Sequence, residues 1–242
     1  MINNVTGGHT TYGHVVGILM NDSTIPRIPG DPGHAETFSF PVIYEVLKGF
    51  PFEDLVNIKR DNIDILIERA QILQEKGVNL IVADCGLFGI YHEELRRHLK
   101  IPFIGSALDI IPLLQRFLPV NRKVGIITGD TRILKSDHFE ASGIDPETVL
   151  IAGMENSSEF KKVVIEKNPE LNIDKMREEL IDTALSLLNK DLGAIVLECT
   201  NLISFRIDLQ NILKVPVFDL VSLIEFYVSG FRTRIFQSQF MR

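Results

Sequence analysis

Two stretches decide the fold of this chain: "LIVADCGLFG" at residues 80–89 and "AIVLECTNLI" at residues 194–203. Each begins as a short apolar run rich in β-branched residues, which is typical of a buried strand, and each run ends at a cysteine. Cys85 and Cys199 are the two cysteines of the chain. The pattern therefore predicts two strands that each carry a thiol at the carboxyl end.

The two stretches belong to a longer internal match. A shift of 114 positions superimposes the two cysteines and also aligns "LKIPF" at 99–103 with "LKVPV" at 213–217. The opening strands "VVGIL" at 15–19 and "KVGII" at 123–127 match with a shift of 108, because the intervening loops differ in length. We interpret this match as an internal repeat of one α/β half.

Strand-like runs alternate with segments of helical period, which indicates βα units around parallel sheets. The predicted strands are 15–20, 54–59, 79–84, 102–105, 123–128, 147–152, 193–198 and 215–218. The predicted helices are 61–76, 91–99, 107–117, 131–141, 174–190, 205–213 and 219–232. We expect an α/β fold of two similar Rossmann-like lobes, each with a four-stranded, mainly parallel sheet flanked by helices. The lobes are residues 1–118 and 119–242, with the C-terminal helix expected to pack on the first lobe and the active site in the cleft.

The composition excludes several classes of protein. The chain has 242 residues, 45% of them hydrophobic, which is enough for one large domain or two lobes with their own cores. A net charge of −7 argues against a general nucleic-acid or anionic membrane surface. No run approaches the roughly 18 consecutive apolar residues that span a bilayer, and we expect no signal peptide. We expect a cytoplasmic protein with free thiols, no nucleic-acid or membrane partner, and a homodimer as its assembly.

The placement of the cysteines suggests a chemistry. Ligands of open parallel sheets bind at the carboxyl ends of the strands, so two facing lobes would bring the thiols to opposite sides of a bound molecule. One thiolate can then remove a proton from a carbon acid while the other thiol delivers one to the opposite face. We expect a lowered thiolate pKa at a helix N-terminus and no disulfide between the sulfurs. Turns at Gly86 and at Thr200 and Asn201 would receive a substrate carboxylate. The competing interpretation is that both cysteines are inert packing residues.

At these residues the sequence resembles the aspartate/glutamate racemase superfamily, which includes hydantoin racemases, maleate isomerases and arylmalonate decarboxylases. The resemblance implies two α/β lobes, a mechanism without a cofactor, and a substrate that bears carboxylates. It implies that Cys85 and Cys199 are the acid/base pair and that Thr200 binds a carboxylate. It also implies substrate contacts from the end of each lobe's first strand: Asn21, Asp22 and Ser23 in one lobe and Thr128 and Gly129 in the other.

Two departures from the amino-acid racemases of that superfamily bear on the substrate. Gly86 and Leu87 follow the first cysteine where those racemases commonly have Asn-Thr. Thr200 and Asn201 follow the second cysteine without the histidine that glutamate racemases have there. Both differences remove groups that would recognise a glutamate-like substrate, so the resemblance supports the superfamily better than any one substrate.

Residues 21–41, "NDSTIPRIPGDPGHAETFSFP", form a long segment in which prolines and glycines forbid a regular element. Because the segment leaves the end of the first strand, it begins at the predicted cleft. We consider two roles for it: a lid that carries Arg27 over a substrate carboxylate, or a surface or dimer-contact loop.

Other motifs are weak or absent. His92 and His98 lie six residues apart and face different sides of a helix, which is not the spacing of a zinc helix. No Walker A loop and no G-x-S-x-G nucleophile elbow occur, and no GxGxxG follows the first strand. We therefore expect neither a metal nor another cofactor.

The leading functional hypothesis is a cofactor-independent racemase or epimerase of an amino acid or a derivative such as a hydantoin. Within the same fold, the alternative is a decarboxylase or a cis–trans isomerase of a dicarboxylate. From another class, the alternative is a two-lobed small-molecule binding protein without catalysis.

Overall fold

The computed structural model describes residues 6–188 and 190–231, and it contains two four-stranded parallel sheets. The first sheet has the order β2-β1-β3-β4, with β1 at Val16–Asn21, β2 at Val42–Leu47, β3 at Leu80–Ala83 and β4 at Phe103–Ile104. The second has the order β6-β5-β7-β8, with β5 at Lys123–Thr128, β6 at Val149–Gly153, β7 at Leu192–Leu197 and β8 at Val217–Phe218. The two sheets share one topology, which confirms the predicted fold class.

Helices flank both sheets. They are α1 (Phe52–Asn57), α2 (Ile63–Glu75), α3 (His92–His98), α4 (Ile111–Phe117), α5 (Ser136–Ala141), α6 (Ser158–Phe160), α7 (Ile173–Leu185), α8 (Arg206–Leu213) and α9 (Leu220–Ser229). Short 3-10 helices at Gly86–Tyr91 and Thr200–Phe205 follow β3 and β7 and lead directly into α3 and α8. No helix in the two described ranges is long and apolar enough to cross a membrane.

The strand register confirms the internal repeat. In the first sheet Leu19 of β1 is paired with Ala83 of β3. In the second sheet Ile127 of β5 is paired with Leu197 of β7. These pairs are related by the shifts of 108 and 114 that the sequence gives for the opening and the cysteine-bearing strands. Equivalent residues of the two halves therefore occupy equivalent positions in space.

One predicted strand is wrong. The segment 54–59 is mostly helical, as part of α1, and the fourth strand of the first sheet is β2 instead. Pro51 precedes this helix, and Glu53 and Asp54 lie in its first turn, where acidic residues favour the helix dipole. Only the last residue of β2 is fully buried, so its sequence lacks the continuous apolar run by which the other central strands are recognised.

Several element boundaries also differ from the prediction. The predicted helix 131–141 is shorter and begins only at Ser136. The segment Ser158–Phe160 with the π-helix Lys161–Ile165 has no counterpart among the predicted elements. The last predicted residue of the helix 219–232 and Asn189 of the helix 174–190 lie outside the described residues.

The two halves share a core. Along β5, Val124 and Ile126 belong to the hydrophobic cluster that contains the first sheet, whereas Ile127 points into a second cluster on the other face. This alternation is the two-residue period of a strand that is buried on both faces. Ile224 and Val228 of α9 also lie in the cluster of the first sheet. The two sheets are therefore held together by continuous apolar packing.

Leu73 of α2 offers a test of this packing. It is fully buried, and its Cδ1 would lie 3.0 Å from a Cβ added at Gly17 of β1, so it fills the space that the glycine leaves. We expect Leu73→Ala to lower the free energy of unfolding by about 2–5 kcal/mol, through lost burial and a residual cavity. The matched control is Leu185→Ala on α7, where the leucine is 40% exposed and little change is expected. Equal shifts of the urea midpoint in both variants would contradict the proposed packing.

Candidate active site

A cavity of about 340 Å³ lies at the carboxyl ends of both sheets. Its position agrees with the general location of ligand sites in open parallel sheets. Ten of the residues that the sequence analysis singled out line it: Asn21, Asp22, Ser23, Arg27, Cys85, Thr128, Gly129, Cys199, Thr200 and Asn201. The repeat thus brings residues from both halves of the chain to one site.

Gly86, the remaining predicted residue, does not line the cavity. It is buried against the other half of the chain, where a Cβ at this position would lie 2.2 Å from Glu198 Oε1 and 2.7 Å from the Glu198 backbone oxygen. Glycine is required here because the two strand ends approach too closely for any side chain. The absence of a side chain at residue 86 is therefore first a packing requirement, and its role toward a substrate stays a prediction.

The two cysteines have the same local structure. Each precedes the 3-10 helix after its strand, and neither side chain caps that helix with a hydrogen bond. The Cys199 thiol donates to Asn201 Oδ1, with 3.7 Å between sulfur and oxygen. Both cysteines are free and partly buried. No disulfide joins them in this structure, and both cysteines line one cavity.

The expected lowering of the thiol pKa is wrong. Burial raises the pKa of Cys85 well above its ordinary value, and the charges of Glu198 and Asp84 raise it further. Burial and the charge of Glu198 likewise raise the pKa of Cys199. The backbone N–H groups of Leu87 and Asn201 lower the pKa values of Cys85 and Cys199 respectively, but burial and the nearby carboxylates outweigh this effect. In this structure both cysteines are therefore thiols at neutral pH.

An acidic residue precedes each cysteine, a signal that the sequence analysis did not use. Asp84 and Glu198 are related by the same shift of 114 as the cysteines. Their backbone N–H groups donate to the carbonyl oxygens of Leu19 and Ile127 respectively, each at 2.9 Å. Both residues are buried, and both line the cavity that the two cysteines line.

The two carboxyl groups differ in their partners. Asp84 Oδ1 accepts from the backbone N–H of Asn21 at 2.9 Å, and Oδ2 accepts from Arg27 at 2.7 Å. Glu198 Oε2 accepts from the Thr128 hydroxyl at 2.7 Å, whereas its buried Oε1 has no hydrogen-bond partner among the described residues. Burial raises the pKa of Glu198 to about 7, against the lowering effect of the Thr128 hydrogen bond. Glu198 therefore changes its charge near neutral pH.

The hydroxyl of Thr200 donates a hydrogen bond to the backbone oxygen of Asp84, which crosses from one half of the chain to the other. Thr128 donates to Glu198 in the same way within the second half. Thr200 and Thr128 thus each use the hydroxyl hydrogen on the protein, and each keeps lone pairs that can only accept from a substrate. The carboxylate-binding role of Thr200 and the substrate contact of Thr128 remain predictions.

The segment 21–41 is largely irregular, as expected, and it contacts both halves of the chain. Arg27 donates to Asp31 and Asp84, each at 2.7 Å, and the amide of Asn201 donates to Asp31 at 3.1 Å. Gly30, with φ at +107°, lies against Ser204, and a Cβ there would be 2.7 Å from the Ser204 Cα. Both halves therefore anchor this segment over the cleft. The predicted lid role of Arg27 would therefore require a guanidinium that already pairs with Asp31 and Asp84 to bind a substrate carboxylate as well.

The rest of the cavity wall was not predicted from the sequence. Aromatic and aliphatic side chains contribute most of it, among them Phe50, Phe52, Phe160 and Ile133. Lys167, which follows the π-helix, also lines the cavity and makes no ion pair with any described residue. The sequence does not distinguish Lys167 from other surface lysines, because the π-helix that it follows was not predicted.

Across the described part of the chain, no group of three or more histidine, cysteine or acidic side chains is arranged to hold a metal ion. His92, one of the two histidines weighed in the sequence, has its Nε2 3.1 Å from the Phe103 backbone oxygen.

The fold and the cleft define a class of protein: two-lobed α/β proteins in which each half places one cysteine on a shared cavity. A family model described as Asp/Glu/Hydantoin racemase matches residues 41–224, and the chain belongs to this family. The resemblance found in the sequence is thereby confirmed.

Curated proteins that are similar to this chain include dimethylsulfoniopropionate lyases. The chain is 26% identical over 228 residues to a dimethylsulfoniopropionate lyase from Durusdinium sp. clade D, a match that covers 89% of this chain and 74% of that protein. A dimethylsulfoniopropionate lyase of Emiliania huxleyi is 25% identical over 86% of this chain, but the match spans only 57% of its own length.

Solved structures with the same fold include isomerases. Allantoin racemase from Klebsiella pneumoniae superimposes with a TM-score of 0.61 at 17% identity, covering 93% of this chain and 97% of that one. Arylmalonate decarboxylase also shares the fold, with a TM-score of 0.55 and 13% identity, covering 89% of this chain and 91% of that one. The fold alone therefore does not select one reaction. These likenesses show the fold, and the family assignment rests on the family model.

Arg27 and Arg132 offer a matched test of the ion pairs at the site. Arg27→Ala leaves Asp31 and Asp84 buried without their cation, and we expect a loss of about 3–5 kcal/mol in the free energy of unfolding. Arg132→Ala removes an exposed arginine from Asp130 and should change stability little. Similar denaturation midpoints for the two variants would contradict a structural role for Arg27.

Proposed function

We propose that this chain is a cofactor-independent racemase or epimerase that inverts a carbon next to a carboxyl or carbonyl group in an amino acid or amino-acid derivative. The observation that carries the proposal is that Cys85 and Cys199, equivalent residues of an internal repeat, both line one cavity. Inversion at a carbon acid needs a base on one face and an acid on the other. A pair of thiols supplied by two equivalent turns meets that need.

The inversion step balances when one cysteine is a thiolate and the other a thiol. The thiolate of one cysteine takes the α-proton and forms its S–H bond, while the C–H electron pair moves into the enolate of the substrate. The other cysteine breaks its S–H bond to protonate the opposite face and is left as the thiolate. Backbone N–H groups at the starts of the 3-10 helices are suited to stabilise the developing negative charge.

The charges of the cavity narrow the substrate class. Four acidic side chains line it, Asp22, Glu53, Asp84 and Glu198, against the two cations Arg27 and Lys167. Since Arg27 is already paired with Asp31 and Asp84, Lys167 is the cation that remains for a substrate carboxylate. A second carboxylate on the substrate would meet net negative charge. We therefore favour a substrate with at most one carboxylate, such as a hydantoin-like derivative, over aspartate or glutamate.

A β-elimination is the second candidate, because the curated relatives are dimethylsulfoniopropionate lyases. The first step is the same removal of an α-proton by a thiolate. The C–H electron pair then forms a C=C bond, and the C–S bond breaks so that dimethyl sulfide leaves with its electron pair and acrylate remains. Phe50 and Phe160, together with the acidic groups of the cavity, suit the sulfonium cation of such a substrate.

One experiment separates the two reactions. The protein is incubated in D₂O with single-enantiomer amino acids, hydantoins, allantoin and dimethylsulfoniopropionate, and both deuterium at the α-carbon and optical rotation are followed. We expect deuterium incorporation with loss of optical rotation for one of the chiral compounds. Release of dimethyl sulfide, measured by gas chromatography, would favour the lyase instead, and release of CO₂ a decarboxylase.

The cysteine variants test the two-thiol mechanism. We expect Cys85→Ser and Cys199→Ser each to abolish racemisation, because a hydroxyl is a much weaker acid than a thiol. A lyase with a single base would keep its activity in one of them. Racemisation that persists in the double variant would rule out thiol chemistry.

Lys167 provides a test of substrate binding. For a substrate with one carboxylate, we expect Lys167→Ala to raise KM about two- to fivefold with little change in kcat, since an exposed ion pair contributes up to ~1 kcal/mol. Lys161→Ala is the matched control, because Lys161 pairs with Glu166 and does not line the cavity. An unchanged KM in the Lys167 variant, or an equal effect of both variants, would contradict this assignment.

A further inference from the structure

Glu198 holds a carboxylate oxygen whose burial needs an explanation. The side chain is 3% exposed, yet Oε1 accepts no hydrogen bond from any described residue. A buried polar atom without a partner is costly, and in native proteins it often marks a functional group. The same residue lines the cavity that contains both thiols.

The position of the carboxyl group connects the two cysteines. Glu198 directly precedes Cys199 in the sequence. Its Oε1 lies against Gly86, which directly follows Cys85. The charge of Glu198 raises the pKa of both thiols. One carboxyl group therefore lies beside two residues that must exchange roles as acid and base.

The equivalent carboxyl group, that of Asp84, cannot serve in the same way. Both of its oxygens are engaged, by Arg27 and by a backbone N–H, and Arg27 is in turn held by Asp31. Asp84 faces the site from the turn after β3, and Arg27 and Asp31 face it from the segment 21–41. Among the buried acids of the site, Glu198 thus has the oxygen that is free to bind a proton.

We propose that Glu198 is the internal proton acceptor for the cysteines: its Oε1 holds the thiol proton while a cysteine acts as the base. This inference rests on the proposed thiol chemistry and adds a third group to it. It explains how thiols that are protonated in the resting enzyme can begin the reaction.

The proton balance closes over one turnover. At the start both cysteines are thiols and Glu198 is ionised. The S–H bond of Cys85 breaks, and a water molecule in the cavity transfers the proton to Oε1, where an O–H bond forms. Cys85 then takes the substrate proton and Cys199 gives its own to the opposite face. When Glu198 returns its proton to the Cys199 sulfur, all three groups are back in their starting states, and the reverse reaction uses the same steps in mirror order.

Alkylation of the thiols tests this inference without any substrate. The rate of reaction with iodoacetamide reports the amount of thiolate, and Cys199→Ser and Cys85→Ser proteins isolate one thiol each. If Glu198 holds the thiol proton, the rate rises about tenfold per pH unit in acid and levels off near pH 7, because thiolate and ionised Glu198 then compete for one proton. In a Glu198→Gln protein we expect the alkylation rate to keep rising above pH 7. At pH 8 its thiol should therefore react about tenfold faster with iodoacetamide than the thiol of the parent protein.

Two further variants sharpen the test. Thr128→Val removes the hydrogen bond that stabilises ionised Glu198, so we expect the levelling to move to higher pH. Asp109→Asn is the control: burial raises the pKa of this carboxyl too, but it bonds Ser142 and does not line the cavity, and its profile should match the parent.

The inference is overturned if the profile still levels near pH 7 in the Glu198→Gln protein, or if neither thiol reacts at any pH up to 9. Absence of α-proton exchange with every compound would instead count against the proposed racemase, because alkylation does not depend on turnover.

Discussion

The contact between the two cysteine-bearing strand ends is the constraint on which the site depends. Thr200 of one half bonds the backbone of Asp84 in the other, and Glu198 lies directly against Gly86. Since the turns are equivalent in an internal repeat, their contact brings both thiols to one cavity. A side chain at residue 86 would force the strand ends apart and separate the thiols. The glycine that departs from the racemase pattern thus has a clear packing reason.

The same contact places acidic groups beside thiols in a buried region. Burial and repulsion both favour protonated cysteines, and the helix-terminal N–H donors are too weak to reverse this. The two halves differ in how their buried carboxyl groups are paired. Asp84 is paired with Arg27, whereas the one side-chain partner of Glu198 among the described residues is the hydroxyl of Thr128. A pseudo-symmetric fold can in this way provide two chemically different sides for one reaction.

The elements that the sequence predicts wrongly are short or only partly buried. The strand β2 has one fully buried residue, so neither alternation nor a continuous apolar run distinguishes it from a loop. The helix α1 was mistaken for a strand because six residues are too few to establish a helical period. The helices of 13 residues, α2 and α7, were recognised for the opposite reason, since several turns repeat the same apolar face.

The sequence by itself determined the repeat, the parallel βα pattern, the family resemblance and the two cysteines at strand ends, because each is written in local periodicity or in equivalent positions. Only the tertiary structure decided which charges are paired. Arg27 reaches Asp84 across 57 residues, and Thr200 reaches the same residue across 116. No local pattern fixes such distances. The protonation of the thiols and the free oxygen of Glu198 follow from burial and neighbours, which exist only once the two halves have packed together.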